Sequence, residues 1–384
     1  MNVERAHGDG PRRGGILIAG GGTAGHVLPG LAVAAALVER GVVADRSDVH
    51  LVGSRRGVEV ELVPGAGFGL TVLGGRGIQR RLTPANVGAL MGLLAGFLRA
   101  FLLMVRARPR VVLSLGGYAS IPCGLAAVVL RVPLVVAEQN AVPGAANRLL
   151  GRFARASAVS FVDTALPRPE LTGNPVRAAI RSAVGTRSEA RARIGVDDRP
   201  LLVAFGGSLG ARRINRAVAD FVEGWRGGPL AVRHVVGARG WAAGEMARAV
   251  PAGVGYTAVA YEHDMPTLLA AADLVVCRSG ATSVAELAVL GVPSVLVPLP
   301  GAPGDHQTAN ARHLAGSGGA VLLADADLDG SALEDLLGEI LSDPPRRDAM
   351  AEAARSMARP DAADRVVDLI LRHAAGRCDD VRDA

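Results

Sequence analysis

Aromatic residues are scarce in this sequence of 384 residues, where Phe, Trp and Tyr together make up only 3%. Proteins that bind nucleic acid strands stack bases on aromatic rings and track phosphates with clustered Lys and Arg. The sequence has no compact Lys/Arg tract either. A nucleic-acid partner is therefore not expected, and the net charge of +6 instead suits diphosphates or an anionic membrane surface.

Cysteine is also rare. Cys123, Cys277 and Cys378 are odd in number and far apart, so they imply neither a disulfide framework nor a zinc site. Residues 1–15 lack the apolar run of a signal peptide, which together with the cysteine usage indicates a reducing cytoplasm. Charged residues make up 20% and hydrophobic residues 49%, which excludes disorder except at the ends, such as a flexible arm at 1–14.

Apolar, β-branched runs recur along the chain with helical segments between them. Because such runs are typical of buried parallel strands, the sequence predicts an α/β fold, and its length favours two domains. Pro and Gly cluster at Leu166–Pro175, which predicts the joint between the domains there. The predicted strands are Ile16–Ala19, Val49–Val52, Val111–Leu115, Leu134–Ala137 and Ala158–Phe161, followed by Leu201–Phe205, Val232–Val236, Gly255–Val259, Leu274–Cys277, Ser294–Val297 and Ala320–Leu323.

Two glycine-rich turns follow strands of the two halves: GGGTAGH at 20–26 and GGSLGA at 206–211. A strand that leads into a glycine turn and a helix directs unpaired backbone N–H groups and a positive dipole end at one spot, which suits phosphate. Two such turns favour two similar domains facing each other across a cleft, as in a nucleotide-sugar enzyme. His26 is expected to be neutral at a helix N-terminus and able to act as a general base, with capping or packing as the alternative.

Three polar motifs follow other strands of the first half. Gly116 and Gly117 allow backbone to approach a bulky ligand, and Tyr118 adds a hydroxyl and a ring, although a tight turn with a packed Tyr is the simpler interpretation. The motif EQN at 138–140 can bind sugar hydroxyls or belong to a solvated loop. Arg177 in GNPVR can present a bidentate guanidinium to a diphosphate.

The second half contains two further motifs. CRSGATSVAE at 277–286 combines a strand end, a Gly turn and a helix start, where hydroxyls and N–H groups face an anion. Glu286, one helical turn on, can accept two ribose hydroxyls, although acidic residues are also common in the first turn of a helix. In the loop Pro298–Gln307, His306 and Gln307 are candidates for contact with a donor sugar.

Val87–Val105 is apolar and long enough to span a bilayer. Arg99 lies inside it, and the segment falls between two predicted parallel strands, where a crossover helix is required. We therefore expect a helix of the domain. The residues before it combine basic and apolar side chains, as an interfacial membrane surface does, with a solvated loop as the alternative; they are Arg76, Ile78, Arg80, Arg81 and Leu82.

Seven motifs occur in order between Gly20 and about Asn310: GGGTAGH, GGYAS, EQN, GNPVR, GGSLGA, CRSGATSVAE and DHQTANA. This set resembles the MurG family, N-acetylglucosaminyltransferases that convert lipid I (undecaprenyl-diphospho-MurNAc-pentapeptide) to lipid II in peptidoglycan synthesis. The resemblance implies a GT-B architecture of two Rossmann-like parallel-sheet domains facing across a cleft. It divides the chain into an acceptor and membrane-docking domain at 15–172, a UDP-GlcNAc domain at 173–360, and a C-terminal helix and tail at 361–384.

The resemblance also implies roles for individual residues. His26 resembles the catalytic base, and Tyr118 and Glu138 are expected near the acceptor, with Glu138 also counted as catalytic. The expected contacts with UDP-GlcNAc are Thr23, Ala24, Gly25, Asn140, Arg177, Ser208, Ala281, Thr282, Ser283, Glu286 and Gln307. The implied reaction is a single in-line displacement that inverts the anomeric carbon. No DxD-type metal cluster is expected at either edge of the cleft, so backbone amides, a helix dipole and Arg177 are expected to stabilise the departing UDP without a metal or cofactor.

The partners that the resemblance implies are UDP-GlcNAc, lipid I and anionic phospholipids, at the cytoplasmic face of the cell membrane. Three residues depart from the family pattern: Ala24 replaces a Gly, Ala137 replaces a His before EQN, and Ile121 stands where Gly is common. They affect the expected acceptor site more than the donor site. The alternatives are a related GT-B transferase with another lipid or metabolite acceptor, a sugar-nucleotide epimerase, or a catalytically silent UDP-sugar binder, and the oligomeric state stays open.

Overall fold

The computed structural model describes residues 10–55, 57–74, 85–207 and 210–379. The chain divides into two compact units. The N-terminal unit contains the chain up to Arg177 and the chain from Pro360 onward, and the C-terminal unit is Ala178–Arg359. The motif GNPVR thus belongs to the N-terminal unit, whereas the sequence interpretation had begun the second domain at residue 173.

Strands and helices alternate along most of the described chain. In order they are β1 Ile16–Gly20, α1 Ala24–Glu39, β2 Val49–Ser54, α2 Glu59–Gly65, β3 Gly69–Leu73, α3 Ala85–Ala107, β4 Val111–Gly116, α4 Ser120–Val129, β5 Leu134–Glu138, α5 Ala145–Leu150, β6 Ala156–Val159, β7 Pro169–Leu171, α6 Ala178–Ser182, α7 Arg187–Ile194, β8 Leu201–Phe205, α8 Arg212–Gly224, β9 Leu230–Val235, α9 Ala238–Ala242, β10 Val254–Val259, α10 Met265–Ala271, β11 Leu274–Cys277, α11 Ala281–Leu290, β12 Ser294–Leu296, α12 His306–Gly316, β13 Ala320–Leu322, α13 Gly330–Leu341, α14 Pro344–Ser356 and α15 Ala362–Asp379. Short 3₁₀ turns lie at Arg46–Asp48, Pro303–Asp305 and Asp325–Asp327.

The N-terminal unit is built on a seven-stranded parallel sheet in the order β3-β2-β1-β4-β5-β6-β7. Successive residues of β1 point to opposite faces: Ile16 and Ile18 join one hydrophobic core, and Leu17 and Ala19 join another. The first core is completed by α1 and α15, and the second by α3 and α4. The strand order reverses between β1 and β4, and ligands of such sheets bind beyond the carboxyl ends of the strands at this switch point.

The C-terminal unit repeats this plan with six parallel strands in the order β10-β9-β8-β11-β12-β13. Leu202 and Ala204 of β8 pack in one core with Ile214 and Phe221 of α8. The switch point of this sheet lies between β8 and β11. The turns that follow these two strands are therefore the candidates for ligand contact in this unit.

All eleven predicted strands are present, with ends shifted by at most two residues, but β3 and β7 were not predicted. β7 lies within the segment 166–175 that was predicted to be the joint, and the two units divide just after it, between Arg177 and Ala178. Pro169 is its first residue, and because β7 is an edge strand, the missing N–H of proline does not interrupt the sheet. The Pro-rich segment is thus the edge of the N-terminal sheet.

The apolar segment 87–105 lies within α3, a helix between two parallel strands as predicted, although the strand before it is β3 and not the predicted strand at 49–52. Ala100, Met104 and Ala107 bury one side of α3 in the N-terminal unit. Among the described residues, we find no helix with the length and hydropathy needed to cross a membrane.

Candidate active site

The turn between β1 and α1 carries the predicted base and three predicted donor contacts. Thr23 is extended, and α1 begins at Ala24, so the N–H groups of Ala24 and Gly25 lie at the positive end of the helix dipole. His26 Nδ1 lies 3.1 Å from Thr23 Oγ1, and the ring is half-exposed. Thr23 therefore orients the imidazole.

The turn after β4, which contains Gly116 and Gly117, lies against the turn after β1 at the switch point. Gly20 is paired with Gly116, and a β-carbon at Gly116 would lie 3.3 Å from His26 Nε2. A β-carbon at Gly117 would collide with Gly21 O, and its φ of +81° also favours glycine. The two turns therefore pack backbone against backbone, with the imidazole beside them.

Tyr118 is engaged within the fold. Its hydroxyl lies 3.0 Å from the carbonyl oxygen of Gly74 and 2.9 Å from that of Gly92. Burial raises the pKa of Tyr118, so the phenol stays protonated at neutral pH and donates to these carbonyl groups. Tyr118 thus connects α3 to the end of β3.

Glu138 lies at the end of β5 and is 3% exposed. Its Oε1 accepts hydrogen bonds from Asn140 N at 3.0 Å and Asn140 Nδ2 at 3.2 Å. Its Oε2 accepts from Gly144 N at 3.0 Å and Asn147 Nδ2 at 2.9 Å. With four donors around it, this carboxylate orders the EQN loop and orients Asn140. Asn147 was missed at the sequence level, although an Asn within a short apolar helix is a signal of a buried hydrogen bond.

The glycine-rich motif of the C-terminal unit, GGSLGA at 206–211, joins β8 to α8. Gly210 N donates to Gly207 O at 2.9 Å, which closes a turn before α8 begins at Arg212. The predicted contact Ser208 lies outside the described residues. Arg177, the predicted diphosphate ligand, is the last residue of the N-terminal unit and is half-buried.

A buried polar network supports this second motif, and the sequence did not reveal it. Asn215 of α8 donates through Nδ2 to Val236 O at 2.9 Å and to Glu245 Oε2 at 3.0 Å, so its Oδ1 is an acceptor. His234 Nε2, 3.2 Å from that Oδ1, therefore carries the proton, and His234 Nδ1 accepts from the Tyr256 hydroxyl at 3.0 Å. Burial lowers the pKa of His234 to about 4, which keeps this tautomer neutral.

The start of α11 presents the predicted uridine and ribose contacts at the end of β11. Ala281 is buried and Ser283 is half-buried. Thr282 Oγ1 is buried and has no hydrogen-bond partner within the described part of the chain. Glu286, one turn further, is only 6% exposed. A buried hydroxyl without a partner at a helix N-terminus, above a carboxylate, is suited to a polyhydroxylated anionic ligand.

The motifs at 277–286 and 305–310 lie together, as their ordering on neighbouring strands requires. Ser279 Oγ donates to Gln307 O at 2.8 Å, and Asn310 Nδ2 donates to Ser279 O at 3.2 Å. Gln307 Oε1 accepts from Leu299 N at 3.0 Å, which leaves its NH₂ group as the part that can donate to a ligand.

Arg278 was not predicted as a site residue, yet it organises the loop beside this site. Its Nη1 donates to Asp325 Oδ1 at 2.6 Å and to Pro298 O at 3.0 Å. Both side chains of the ion pair are largely buried. The pair therefore fixes the loop that follows β12 and leads to Gln307.

Comparison with known proteins identifies the family. The glycosyltransferase family 28 N-terminal domain matches residues 16–159, and the glycosyltransferase family 28 C-terminal domain matches residues 201–366. An enzyme of Desulforudis audaxviator named UDP-N-acetylglucosamine–N-acetylmuramyl-(pentapeptide) pyrophosphoryl-undecaprenol N-acetylglucosamine transferase is 40% identical over 92% of this chain and 97% of its own length. An enzyme of Alkalilimnicola ehrlichii with the same name is 41% identical over 94% of this chain and 99% of its own length.

A solved structure agrees with these relatives. The crystal structure of Acinetobacter baumannii MurG is 30% identical and covers 94% of this chain and 100% of its own, with a TM-score of 0.74. The predicted fold class is confirmed, because both units are Rossmann-like parallel-sheet domains of the GT-B type. The matched domains, the near full-length identity and the shared fold lead to one assignment: the chain is a glycosyltransferase of family 28 and belongs to the MurG family.

Proposed function

We propose that this chain transfers N-acetylglucosamine from UDP-GlcNAc to the 4-hydroxyl of the muramyl sugar of lipid I, which forms lipid II. The relatives named for this reaction align over nearly their whole length. The observation that carries the proposal is the Thr282 hydroxyl, buried without a described partner at the start of α11, one turn before buried Glu286. A buried polar atom without a partner is costly, so such a group is typical of a ligand site.

The donor nucleotide is assigned to the C-terminal unit. The first turn of α11, with Ala281, Thr282 and Ser283, binds the uridine end, and Glu286 accepts the ribose hydroxyls. The NH₂ group of Gln307 donates to a GlcNAc hydroxyl, because its Oε1 is already occupied by Leu299 N–H.

The diphosphate is assigned to the turn at 206–211. The N-terminus of α8 supplies oriented N–H groups and a positive dipole end, which stabilise the charge that develops on departing UDP. Ser208 and Arg177 are further proposed ligands, and Arg177 contributes a guanidinium that suits a diphosphate.

The base is assigned to His26. When Nδ1–H donates to Thr23 Oγ1, Nε2 is the atom that accepts a proton. The muramyl 4-oxygen attacks the anomeric carbon in line as the bond to UDP breaks; its proton passes to His26, and UDP leaves with the bonding electron pair. The configuration therefore inverts from α to β.

The remaining proposed contacts lie in the N-terminal unit. The N–H groups of Ala24 and Gly25 and the amide of Asn140 contact the donor. Glu138 serves the acceptor side by ordering Asn140, since its carboxylate already accepts four hydrogen bonds. Tyr118 shapes this side through its contacts with backbone carbonyl groups.

The exposed side of α3 is proposed to dock on the anionic cytoplasmic face of the cell membrane, where lipid I is available. Met91, Leu94, Leu98, Leu102 and Val105 are spaced three or four residues apart, and each is between 44% and 61% exposed. Exposed Arg99 and Arg106 lie beside this apolar stripe, as in interfacial helices. The basic residues predicted to assist it, Arg76, Arg80 and Arg81, lie outside the described residues, as do Ile78 and Leu82.

The experiment that tests the proposal is UDP release from UDP-GlcNAc with and without a lipid I analogue. We expect release that depends on the analogue. Release without acceptor, formation of an epimer, or transfer only to a different lipid or metabolite would each contradict the assignment and favour one of the alternative activities.

A further inference from the structure

Glu59 is a buried carboxylate that has no assigned role in the proposed reaction. It is the first residue of α2 and is only 1% exposed. Its Oε1 accepts hydrogen bonds from Ser54 N at 2.6 Å and Ser54 Oγ at 2.8 Å. Gly22 N lies 3.1 Å from each of its two oxygens. A buried carboxylate is stable only when donors surround it, so these contacts hold both partners in place.

Three glycines enclose this carboxylate. A β-carbon at Gly21 or Gly57 would collide with its oxygens, and one at Gly53 would lie 2.5 Å from Glu59 Cγ. Gly21 belongs to the turn before α1, and Gly53 belongs to β2. Because these glycines lack side chains, the backbone of the turn and the backbone of β2 can both lie against the carboxylate.

The turn at 20–22 is therefore held from two sides. Glu59 binds the N–H group of Gly22, and Gly117 packs against the carbonyl oxygen of Gly21. Thr23 follows directly and lies 3.1 Å from His26 Nδ1. The glycine turn was predicted to direct unpaired N–H groups at a phosphate, but its Gly22 N–H group is bonded to a side chain of the protein.

We propose that Glu59 is a positioning residue for glycosyl transfer: its carboxylate fixes the turn at 20–22 and thereby the orientation of Thr23 and His26. This inference rests on the proposed function. Oε1 accepts from Ser54, and both oxygens of the carboxylate face Gly22 N at 3.1 Å. A Gln side chain of the same shape can accept from Ser54, but it turns an NH₂ group toward the Gly22 N–H group.

The test compares E59Q and E59A in the full chain with UDP-GlcNAc and a lipid I analogue. We expect kcat of E59Q to fall at least about tenfold, because small displacements of a catalytic group are costly. The Kd for UDP stays within about twofold, since Glu59 is bonded to Gly22 and Ser54 and neither is a proposed UDP ligand. E59A places no NH₂ group opposite the Gly22 N–H group, so we expect it to lose less activity than E59Q. It nevertheless leaves a cavity, so we expect it to unfold at a lower temperature.

Two controls and a double variant complete the design. S54A keeps the contact between Glu59 and Gly22, and D273N alters a buried carboxylate bonded to Leu201 N and Arg191; both are expected to keep kcat within about threefold. The variant E59Q/H26A is expected to be no slower than H26A, because Glu59 acts through His26.

Three results would each overturn the positioning role. They are an unchanged kcat in E59Q, a loss of activity that follows the loss of stability across E59Q and E59A, and additive losses of kcat in the double variant. A wild-type protein without transfer would overturn the proposed function instead. Proton NMR then reports the position of the His26 ring without turnover, through the Cε1–H resonance that is missing from the spectrum of H26A. We expect this resonance to shift in E59Q and not in S54A. An unshifted resonance in E59Q would overturn the inference.

Discussion

His26 combines two features of a general base: a hydroxyl partner for one ring nitrogen and a second nitrogen beside glycine backbone. Replacement of His26 by Ala is expected to lower kcat about 10²- to 10⁴-fold, the usual contribution of general-base catalysis. The KM for UDP-GlcNAc should change by less than about threefold, because the nucleotide is assigned to the C-terminal unit. Steady-state rates of UDP release measure both constants.

H50Q is the matched control for this variant. His50 is buried, and its Nε2 lies 2.8 Å from Thr71 Oγ1 rather than in the proposed site. Its kcat should stay within about twofold of the parent. If H26A retains turnover within about tenfold of the parent, another group is the base.

Thr282 offers a test that separates binding from stability. Because its buried hydroxyl has no described partner, T282V should leave the free energy of unfolding unchanged or slightly increased. The same change should weaken UDP binding about tenfold by removing one hydrogen bond to the ligand. Calorimetric titration and urea unfolding measure the two effects.

Ser294 provides the control, since its hydroxyl is also buried without a described partner but lies at the start of β12. S294A should leave UDP affinity unchanged. Equal affinity of T282V and the parent for UDP would remove Thr282 from the donor site.

His50 and His234 should make stability depend on pH. Burial lowers the pKa of each to about 4, below the ordinary value of 6.5. Above pH 6.5 both are neutral whether the chain is folded or unfolded. As the pH falls from 6.5 toward 4, the unfolded chain binds protons that the folded chain excludes, so up to about 3 kcal/mol is lost per histidine.

Urea unfolding at pH 7.5 and pH 5 tests this expectation. Stability should be lower at pH 5, and H50Q and H234Q should each reduce the difference between the two pH values. An unchanged pH difference in both variants would show that other groups control the acid sensitivity.

At the scale of helices and strands, the central strands were predictable because they are continuous apolar runs. The two edge strands of the N-terminal sheet were not predicted: β3 is half-buried and contains Gly69, and β7 begins at Pro169, so neither has the pattern of a buried strand. The motifs after β1, β5, β8 and β11 were also recognisable from glycines and polar side chains at strand ends. The contacts of Glu59 with Gly22 and of Asn215 with Val236 and Glu245 could not be predicted, because these partners are distant in the sequence.

The exposed stripe of α3 gives a prediction at this scale. The variant L94Q/L98Q/L102Q should reduce partition onto anionic vesicles at least about tenfold, because three apolar side chains no longer enter the interface. Sedimentation with vesicles containing phosphatidylglycerol measures the bound fraction. V162Q changes a side chain that is 71% exposed elsewhere and should bind like the parent. Equal binding of the triple variant would contradict docking through α3.

At the scale of the whole molecule, the two units repeat one plan and use it differently. Each has a glycine-rich turn beside the switch point of a parallel sheet. In the N-terminal unit a carboxylate from the same unit occupies the N–H group of Gly22, whereas in the C-terminal unit the turn leads into α8 and is assigned to the diphosphate. The sequence showed that both units have a glycine-rich turn. It did not show that a carboxylate of the protein occupies the N-terminal turn, whereas the C-terminal turn is assigned to the diphosphate of the ligand.

Stabilisation of UDP by oriented N–H groups and Arg177 predicts that turnover does not require a divalent cation. Transfer in excess EDTA should proceed within about threefold of the rate without it. R177A should lower kcat at least about tenfold under both conditions. A rate that vanishes in EDTA and returns with Mg²⁺ would contradict this electrostatic assignment.

The most direct test of the central claim is the structure of the reaction product. After incubation with UDP-GlcNAc and a lipid I analogue, mass spectrometry should show the acceptor enlarged by one N-acetylhexosamine. The proton coupling constant of the new anomeric centre should indicate a β linkage to the muramyl 4-position. An α linkage, a different attachment site, or recovery of unmodified acceptor beside free sugar or an epimerised nucleotide would contradict it.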